Sequence, residues 1–271
     1  MIHRREHDAN QHVSPSVVVE PGGDACTIVF LHGLLGLNEH WSGVVDRMRE
    51  RATSLLVELP LLQLRGDLCS IEGATEMVAR ELRSRLNRPA VFVGNSFGGH
   101  LAMRIALEDP TLAAGLVLSG SSGLFERTFE KDVQHRPSKE WLDKKIRELF
   151  FNPDKAPPES VDRAYDELSD RAAARAMVRL SKSAKNDHMG ERMRNITHPT
   201  LLIWGRQDIV TPPHVAEEFG SLIPDSRLRW IDECGHAPMI EHPDKFSDEL
   251  NAFLDEVAVV DRKVGSRQEV A

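Results

Sequence analysis

A serine acts as a nucleophile only if its backbone exposes it and a base takes its proton. The run Val91-Phe92-Val93-Gly94-Asn95-Ser96-Phe97-Gly98-Gly99-His100 meets the first condition. An apolar strand leads into Gly-x-Ser-x-Gly and then into a helical pattern from His100 to Leu107. Such a turn holds the serine in strained geometry, and glycines two before and two after it relieve the crowding that side chains would cause. The following helix aims its free N–H groups and the positive end of its dipole at the serine, which suits a developing oxyanion. The base and its orienting acid come downstream. Leu201-Leu202-Ile203-Trp204-Gly205-Arg206-Gln207-Asp208 reads as a strand ending in an acid, and Trp230-Ile231-Asp232-Glu233-Cys234-Gly235-His236 as a strand followed by a loop histidine. Ser96, Asp208 and His236 therefore stand in the order Ser…Asp…His, each just after a strand, where parallel sheets form their sites. The trio predicts acyl transfer with Ser96 as nucleophile, His236 as base and Asp208 orienting the imidazole. Asp232 and Glu233 are rival acids, but a neighbour in the same loop is poorly placed to bridge the ring.

An oxyanion needs a second donor from a loop after an early strand. Ile28-Val29-Phe30-Leu31-His32-Gly33-Leu34-Leu35-Gly36 supplies that loop, so the expected donors are the backbone N–H groups of Leu34 and Phe97. His32 is expected to brace the loop rather than move protons. Leu34, Leu35 and Phe97 should floor the substrate pocket, with Asn95 also lining it; an apolar floor favours acyl chains over sugars or phosphates. Cys234 is expected to be a small core residue. No Cys-x-x-Cys, His-Glu-x-x-His or Gly-x-Gly-x-x-Gly occurs, and His3, His7 and His12 lack anything that fixes ligand geometry, so no metal or cofactor is expected.

The elements that must position these residues show as apolar, β-branched-rich runs at Ser16–Glu20, Thr27–Leu31, Ser54–Leu59, Ala90–Gly94, Gly115–Ser119, Thr200–Trp204 and Arg227–Ile231. Amphipathic stretches such as Trp41–Arg51, Ala74–Leu86, Phe97–Leu107, Pro213–Leu222 and Pro243–Val257 lie between or after them. This alternation predicts a largely parallel α/β sheet with helices on both faces. From about Ser121 to His198 no strand pattern occurs; Trp141–Phe151 and Val161–Leu180 read as amphipathic helices separated by the breakers Asn152-Pro153 and Pro157-Pro158. The expected organisation is a core of residues 13–120 and 199–258, a helical cap of residues 121–198, and loose tails at 1–12 and 259–271.

The composition bounds the function. The 271 residues carry 34 Lys and Arg against 42 Asp and Glu, a formal charge of −8, which argues against a nucleic-acid-backbone binder. Three cysteines rule out a disulfide framework and fit a reducing, cytoplasmic setting. No apolar run approaches a membrane span, and the start MIHRREHDANQH lacks the apolar core of a secretory signal. The expected partner is a small-molecule substrate, with no nucleic acid or membrane, for a monomer or homodimer.

LHGLLG at 31–36, GNSFGG at 94–99, LLIWGRQDIVTPP at 201–213 and CGHAPMIEHPDKF at 234–246 together resemble the α/β-hydrolase superfamily, in its subset with a helical cap. The resemblance covers nearly the whole chain between the tails. It implies an eight-stranded, mostly parallel sheet with the second strand antiparallel and the cap inserted after the sixth. It also implies the Ser96–His236–Asp208 triad and a cofactor-independent, carboxylesterase-like activity. GNSFGG with WGRQD further resembles the meta-cleavage-product hydrolases, which break a carbon–carbon bond in dienones. Those enzymes usually carry a Trp after the catalytic His, where this chain has Ala237, and use a cap arginine, for which Arg163, Arg171, Arg175 and Arg179 are candidates. LHGLLG followed by Trp41 is also similar to menaquinone-pathway lyases and pimeloyl-ester hydrolases. The readings open from sequence are an ester hydrolase, a C–C hydrolase or lyase on the same triad, and a ligand receptor on a hydrolase scaffold.

Overall fold

The computed structural model describes residues 13–126 and 137–268. Seven strands form one sheet: β1 (Ser16–Asp24), β2 (Cys26–Leu31), β3 (Ala52–Glu58), β4 (Ala90–Asn95), β5 (Ala113–Ser119), β6 (Thr200–Gly205) and β7 (Ser226–Ile231), in the order β1-β3-β2-β4-β5-β6-β7. They coincide with the seven apolar runs of the sequence. All pairings are parallel except that of β1 with β3.

The strand count of eight is corrected to seven among the described residues. The antiparallel strand is the first rather than the second, and the helical insertion follows the fifth strand rather than the sixth. The physical reason lies at the sheet edge. The polar sequence ahead of Ser16 offers no apolar run to pair outside β1, and Val18 and Val19 there are 48% exposed. The expected tail at 1–12 lies outside the described residues.

Alternation along each strand feeds two cores. Val29 and Leu31 of β2, Phe92 of β4, and Leu202 and Trp204 of β6 enter one cluster. Ile28 and Phe30, Val91 and Val93, and Leu201 and Ile203 enter the other. Period-2 side-chain direction requires this when both faces are covered. Helices α1 (Ser42–Met48), α2 (Ile71–Arg85) and α3 (Phe97–Glu108) precede the insertion. Within it stand α4 (Lys139–Arg147), α5 (Ser160–Ser169) and α6 (Arg171–Asn186); after it come α7 (Pro213–Leu222), α8 (Pro238–Glu241) and α9 (Pro243–Gln268). Residues of α2, α3 and α7 pack in the first cluster, and those of α1 and α9 in the second. The helices that follow β2 and β4, α1 and α3, thus lie on opposite faces of the sheet, the arrangement that in open α/β sheets places binding sites at the carboxyl ends of those strands. The last helix runs past position 258, where the core was expected to end. Along β7, Leu228 and Trp230 pack against the first cluster, while Arg227 and Arg229 pair with Glu256 and Glu249 of α9. No helix is long and apolar enough to cross a membrane among the described residues.

The insertion departs from the single helix expected over Val161–Leu180. The chain breaks at Asp170, whose carboxylate accepts from the N–H groups of Ala172 (2.7 Å) and Ala173 (2.8 Å), an N-cap that starts α6 afresh. Leu142, Ala164 and Leu168 of α4 and α5 form a small cluster of their own, joined by Leu35 and Leu62 from the core. Helix α6 instead buries Ala176, Leu180 and Ala184 in the first main cluster.

Asp187, which ends α6, fastens the insertion to α3. Its Oδ2 accepts from Arg104 Nη1 at 2.5 Å and lies 3.0 Å from His100 Nε2, while Oδ1 accepts from Arg192 at 2.8 Å. The His100 hydrogen bond, aided by Arg104, holds this carboxyl well below the usual carboxylate range despite partial burial. A depressed carboxyl pKa contributes stability that is present above the unfolded value and lost as pH falls through the folded one. Asp187→Asn takes one of three carboxylates from the buried Arg104, which keeps Glu108 at 2.6 Å and Glu72 at 3.7 Å. It also weakens the acceptor facing His100; breaking into such a buried network costs about 3 kcal/mol. Asp187→Asn should therefore lower the melting temperature at pH 7 by roughly 10 °C. The gap to wild type should narrow as the pH is taken below about 4, which thermal unfolding across pH would measure.

Candidate active site

The Gly-x-Ser-x-Gly run forms the expected turn. Ser96 has φ 54° and ψ −118°, a left-handed conformation rare for an L-residue, and sits between β4 and α3. Its N–H donates to the Ser119 carbonyl (3.0 Å), and its own carbonyl accepts from the N–H groups of Gly99 (3.1 Å), His100 (3.2 Å) and Ser122 (3.2 Å). Gly94 and Gly98 face each other across the turn so closely that a Cβ on Gly94 would strike the Gly98 carbonyl. The turn is therefore open only to glycine at both flanks.

His236 and Asp208 meet as predicted, with Nδ1 2.8 Å from Asp208 Oδ2 and both residues buried. Asp208 also accepts from Thr211 Oγ1 (2.8 Å), Thr211 N–H (2.9 Å) and Val210 N–H (2.8 Å), which fixes the carboxylate toward the ring. Trp204 Nε1 donates to the Thr211 carbonyl at 2.8 Å and pins that loop. Gly120, at φ +50°, leaves room for the pair: a Cβ there would lie 2.8 Å from His236 Nδ1 and 3.2 Å from Asp208 Oδ2. The rival acids lie elsewhere, Asp232 pairing with Arg206 at 2.6 Å and Glu233 holding a positive φ in the loop. Burial would lower the His236 pKa, but the charge and hydrogen bond of Asp208, with Glu126, raise it instead.

Asn95, expected to line the pocket, has another task. Its Nδ2 donates to the carbonyls of Ser119 (2.9 Å) and His236 (3.0 Å), so its amide ties the serine turn to the histidine loop. The histidine loop is also held by the insertion. His236 N–H donates to the Leu149 carbonyl (2.7 Å), and the buried Glu241 accepts from Gly235 N–H (2.6 Å) and Asn152 N–H (3.0 Å).

The loop after β2 lies against the serine: a Cβ on Gly33 would stand 3.4 Å from Ser96 Cβ. His32 braces this loop, as expected. Its Nδ1 lies 2.7 Å from the Gly33 carbonyl, and its Nε2 accepts the Leu59 N–H at 3.0 Å, so Nδ1 carries the proton. Burial lowers the pKa of His32 to about 4, which keeps the ring in this neutral form at pH 7. A trans peptide points its N–H opposite its C=O. Fixing the Gly33 carbonyl therefore also fixes the direction of the Leu34 N–H. Phe97 N–H lies in the first turn of α3, where helices leave donors unpaired.

Two features escaped the sequence reading. One is the His100–Asp187 pair behind the turn, with Ser122 Oγ 3.4 Å from His100 Nδ1; His100 and Ser122 are buried there. The other is Thr211, detectable only as a hydroxyl three residues after the acid. Cys234 is buried in the second cluster, and burial pushes its thiol pKa up. Among the described residues, no group of three or more His, Cys, Asp or Glu could hold a metal.

The model of the alpha/beta hydrolase family matches residues 28–249. The chain is 27% identical over 262 residues to a pimeloyl-[acyl-carrier protein] methyl ester esterase of Nitrosomonas europaea, covering 85% of this chain and 96% of that protein. It is 26% identical over 198 residues to a 2-hydroxy-6-oxononadienedioate/2-hydroxy-6-oxononatrienedioate hydrolase of a Pseudomonas species, covering 68% and 70%. Among solved structures it resembles MGS-MChE2, an alpha/beta hydrolase enzyme from a lagoon-sediment metagenome of Mar Chica, Morocco. That match has a TM-score of 0.73 and 31% identity and covers 91% of this chain and 97% of the other.

The raised His236 pKa sets a sign for the pH profile. If His236 must be neutral to act, kcat/KM should fall toward acid with an inflection above the ordinary histidine value of about 6.5. Asp208→Asn leaves burial opposed by Glu126 alone, so the inflection should move down while kcat drops by about 10⁴. A wild-type inflection at or below 6.5 would contradict the assignment.

Proposed function

The chain belongs to the alpha/beta hydrolase family, and on that footing we propose that it is a cofactor-independent serine hydrolase cleaving a small or medium, largely apolar carboxylic ester or related acyl compound. The observation that carries this reading is the buried 2.8 Å His236–Asp208 hydrogen bond, tied through Asn95 to the strained turn that presents Ser96. In this mechanism His236 Nε2 takes the Ser96 hydroxyl proton as Oγ attacks the substrate carbonyl, while Asp208 keeps the Nδ1 proton in place and balances the imidazolium. The N–H groups of Leu34 and Phe97 receive the tetrahedral oxyanion. Collapse returns the proton from His236 to the leaving alcohol, and water deprotonated by His236 then cleaves the acyl-enzyme.

The side chains of Leu34, Leu35 and Phe97, which floor the pocket in this reading, favour an acyl chain, and an esterase is among the relatives. Residues 121–198 act as the cap, and their Leu149 carbonyl and Asn152 N–H already hold the histidine loop. Relatives that hydrolyse dienedioates favour a second reading, C–C bond hydrolysis on the same three residues.

Steady-state hydrolysis of p-nitrophenyl esters from acetate to decanoate separates the readings. We expect an optimum at one chain length and a loss in Ser96→Ala on the order of 10⁶ in kcat. Full activity in Ser96→Ala would overturn the assignment, and faster turnover of a dienone than of any ester would move the chain to the second reading.

A further inference from the structure

Arg163 belongs to the insertion, yet its guanidinium reaches into the loop after β2. From α5 its Nη2 donates to the Leu35 carbonyl at 2.7 Å, while Nη1 pairs with Glu167 one turn on at 3.5 Å. The residue is mostly buried, with 21% of its side chain exposed. Its charge is felt in the loop: burial is the main reason that His32 and His40 both fall to about 4, and Arg163 lowers both further. The side chain of Leu35 is held from the same direction, in the cluster formed by Leu142, Ala164 and Leu168.

Peptide planarity carries this contact to the reacting centre. Arg163 holds the carbonyl of the Leu35–Gly36 peptide, and the N–H of that same peptide donates to the Gly33 carbonyl at 3.0 Å. The Gly33 carbonyl belongs to the Gly33–Leu34 peptide, whose other end is the Leu34 N–H. A guanidinium, two peptide groups and the Leu34 N–H form one hydrogen-bonded line, in which each link polarises the next. His32 steadies the middle of that line from the core side.

We propose that Arg163 is a positioning residue for the oxyanion hole: through the Leu35 and Gly33 carbonyls it holds the Leu34 N–H on the reacting oxygen, so the hole is complete only when the insertion is docked. The proposal rests on the serine-hydrolase reading and adds to it a residue that touches no reacting atom. It differs from a substrate ligand in the atom it uses: Nη2 is engaged by the protein's own Leu35 carbonyl, while the buried Nε makes no hydrogen bond.

The test compares wild type, Arg163→Met, Arg163→Lys and Glu167→Gln. Removing an oxyanion donor outright costs about 10²–10³ in rate, so misaiming one should lower kcat by about tenfold in Arg163→Met with KM nearly unchanged. Affinity for a trifluoromethyl ketone, which mimics the oxyanion, should fall in parallel. Arg163→Lys keeps a donor and should recover part of the loss, and Glu167→Gln, which removes only the ion pair, should behave as wild type. Hydrogen–deuterium exchange of the segment 32–41 should be faster in Arg163→Met and unchanged in Glu167→Gln. A rise in KM with kcat unchanged, a fall in kcat without faster exchange, or no change at all would each overturn the proposal. If wild type neither hydrolyses an ester nor is phosphonylated at Ser96 by a fluorophosphonate, the hydrolase reading fails instead, while exchange in this segment still decides whether the clamp exists.

Discussion

The turn at Ser96 holds an L-residue at φ 54°, a conformation that costs on the order of 1–3 kcal/mol. Such a residue stays strained only if its surroundings allow no alternative. Here the restraints come from three directions. Strand β5 and its following loop take the Ser96 N–H and return Ser122 to its carbonyl, and the first turn of α3 adds two more donors. Gly94 and Gly98 let the strand, the turn and the helix pack so closely that neither flank would admit a Cβ. Behind the turn, His100 lies between Ser122 and Asp187, so a buried chain of hydrogen bonds backs the whole arrangement. The parallel sheet matters to the chemistry because it lines up the strand ends from which these restraints issue.

Much of this was legible in the sequence because it is local. Each strand shows as an apolar run of five or six residues, and the serine turn announces itself within five, since the glycines answer a crowding problem one turn wide. The meeting of His236 with Asp208 could be expected from chain order and from the place of each residue just after a strand. What could not be read depends on contacts between distant residues. Asn95 meets the His236 carbonyl across 141 positions, Arg163 meets Leu35 across 128, and His100 meets Asp187 across 87. Nothing near Arg163 in sequence distinguishes it from Arg171, Arg175 or Arg179. The break at Asp170 was hidden for a different reason: helix-forming residues run across it with no proline or glycine to mark a stop, and the cap geometry shows that the chain restarts. The count of eight strands came from resemblance rather than from residues, and the residues themselves offered seven.

The insertion is not energetically uniform. Helices α4 and α5 share a small cluster that borrows Leu35 and Leu62 from the core, whereas α6 is sunk into the main hydrophobic cluster and ends on the Asp187 ion pairs. Opening of α4 and α5 alone would expose little apolar surface, while opening of α6 would disturb α3 and the serine turn with it. The boundary drawn at residues 121–198 by sequence therefore crosses a real difference in how firmly the parts are held.

The last strand, β7, ends the sheet with Arg227 and Arg229 turned toward α9 and paired there with Glu256 and Glu249. Ion pairs this exposed add little to folding stability. Their value is colloidal. An open sheet edge is a template for another strand, and long charged side chains along it make strand-by-strand addition of a second molecule unfavourable. Charged side chains held in place by the C-terminal helix make this border of the sheet a poor template for a further strand.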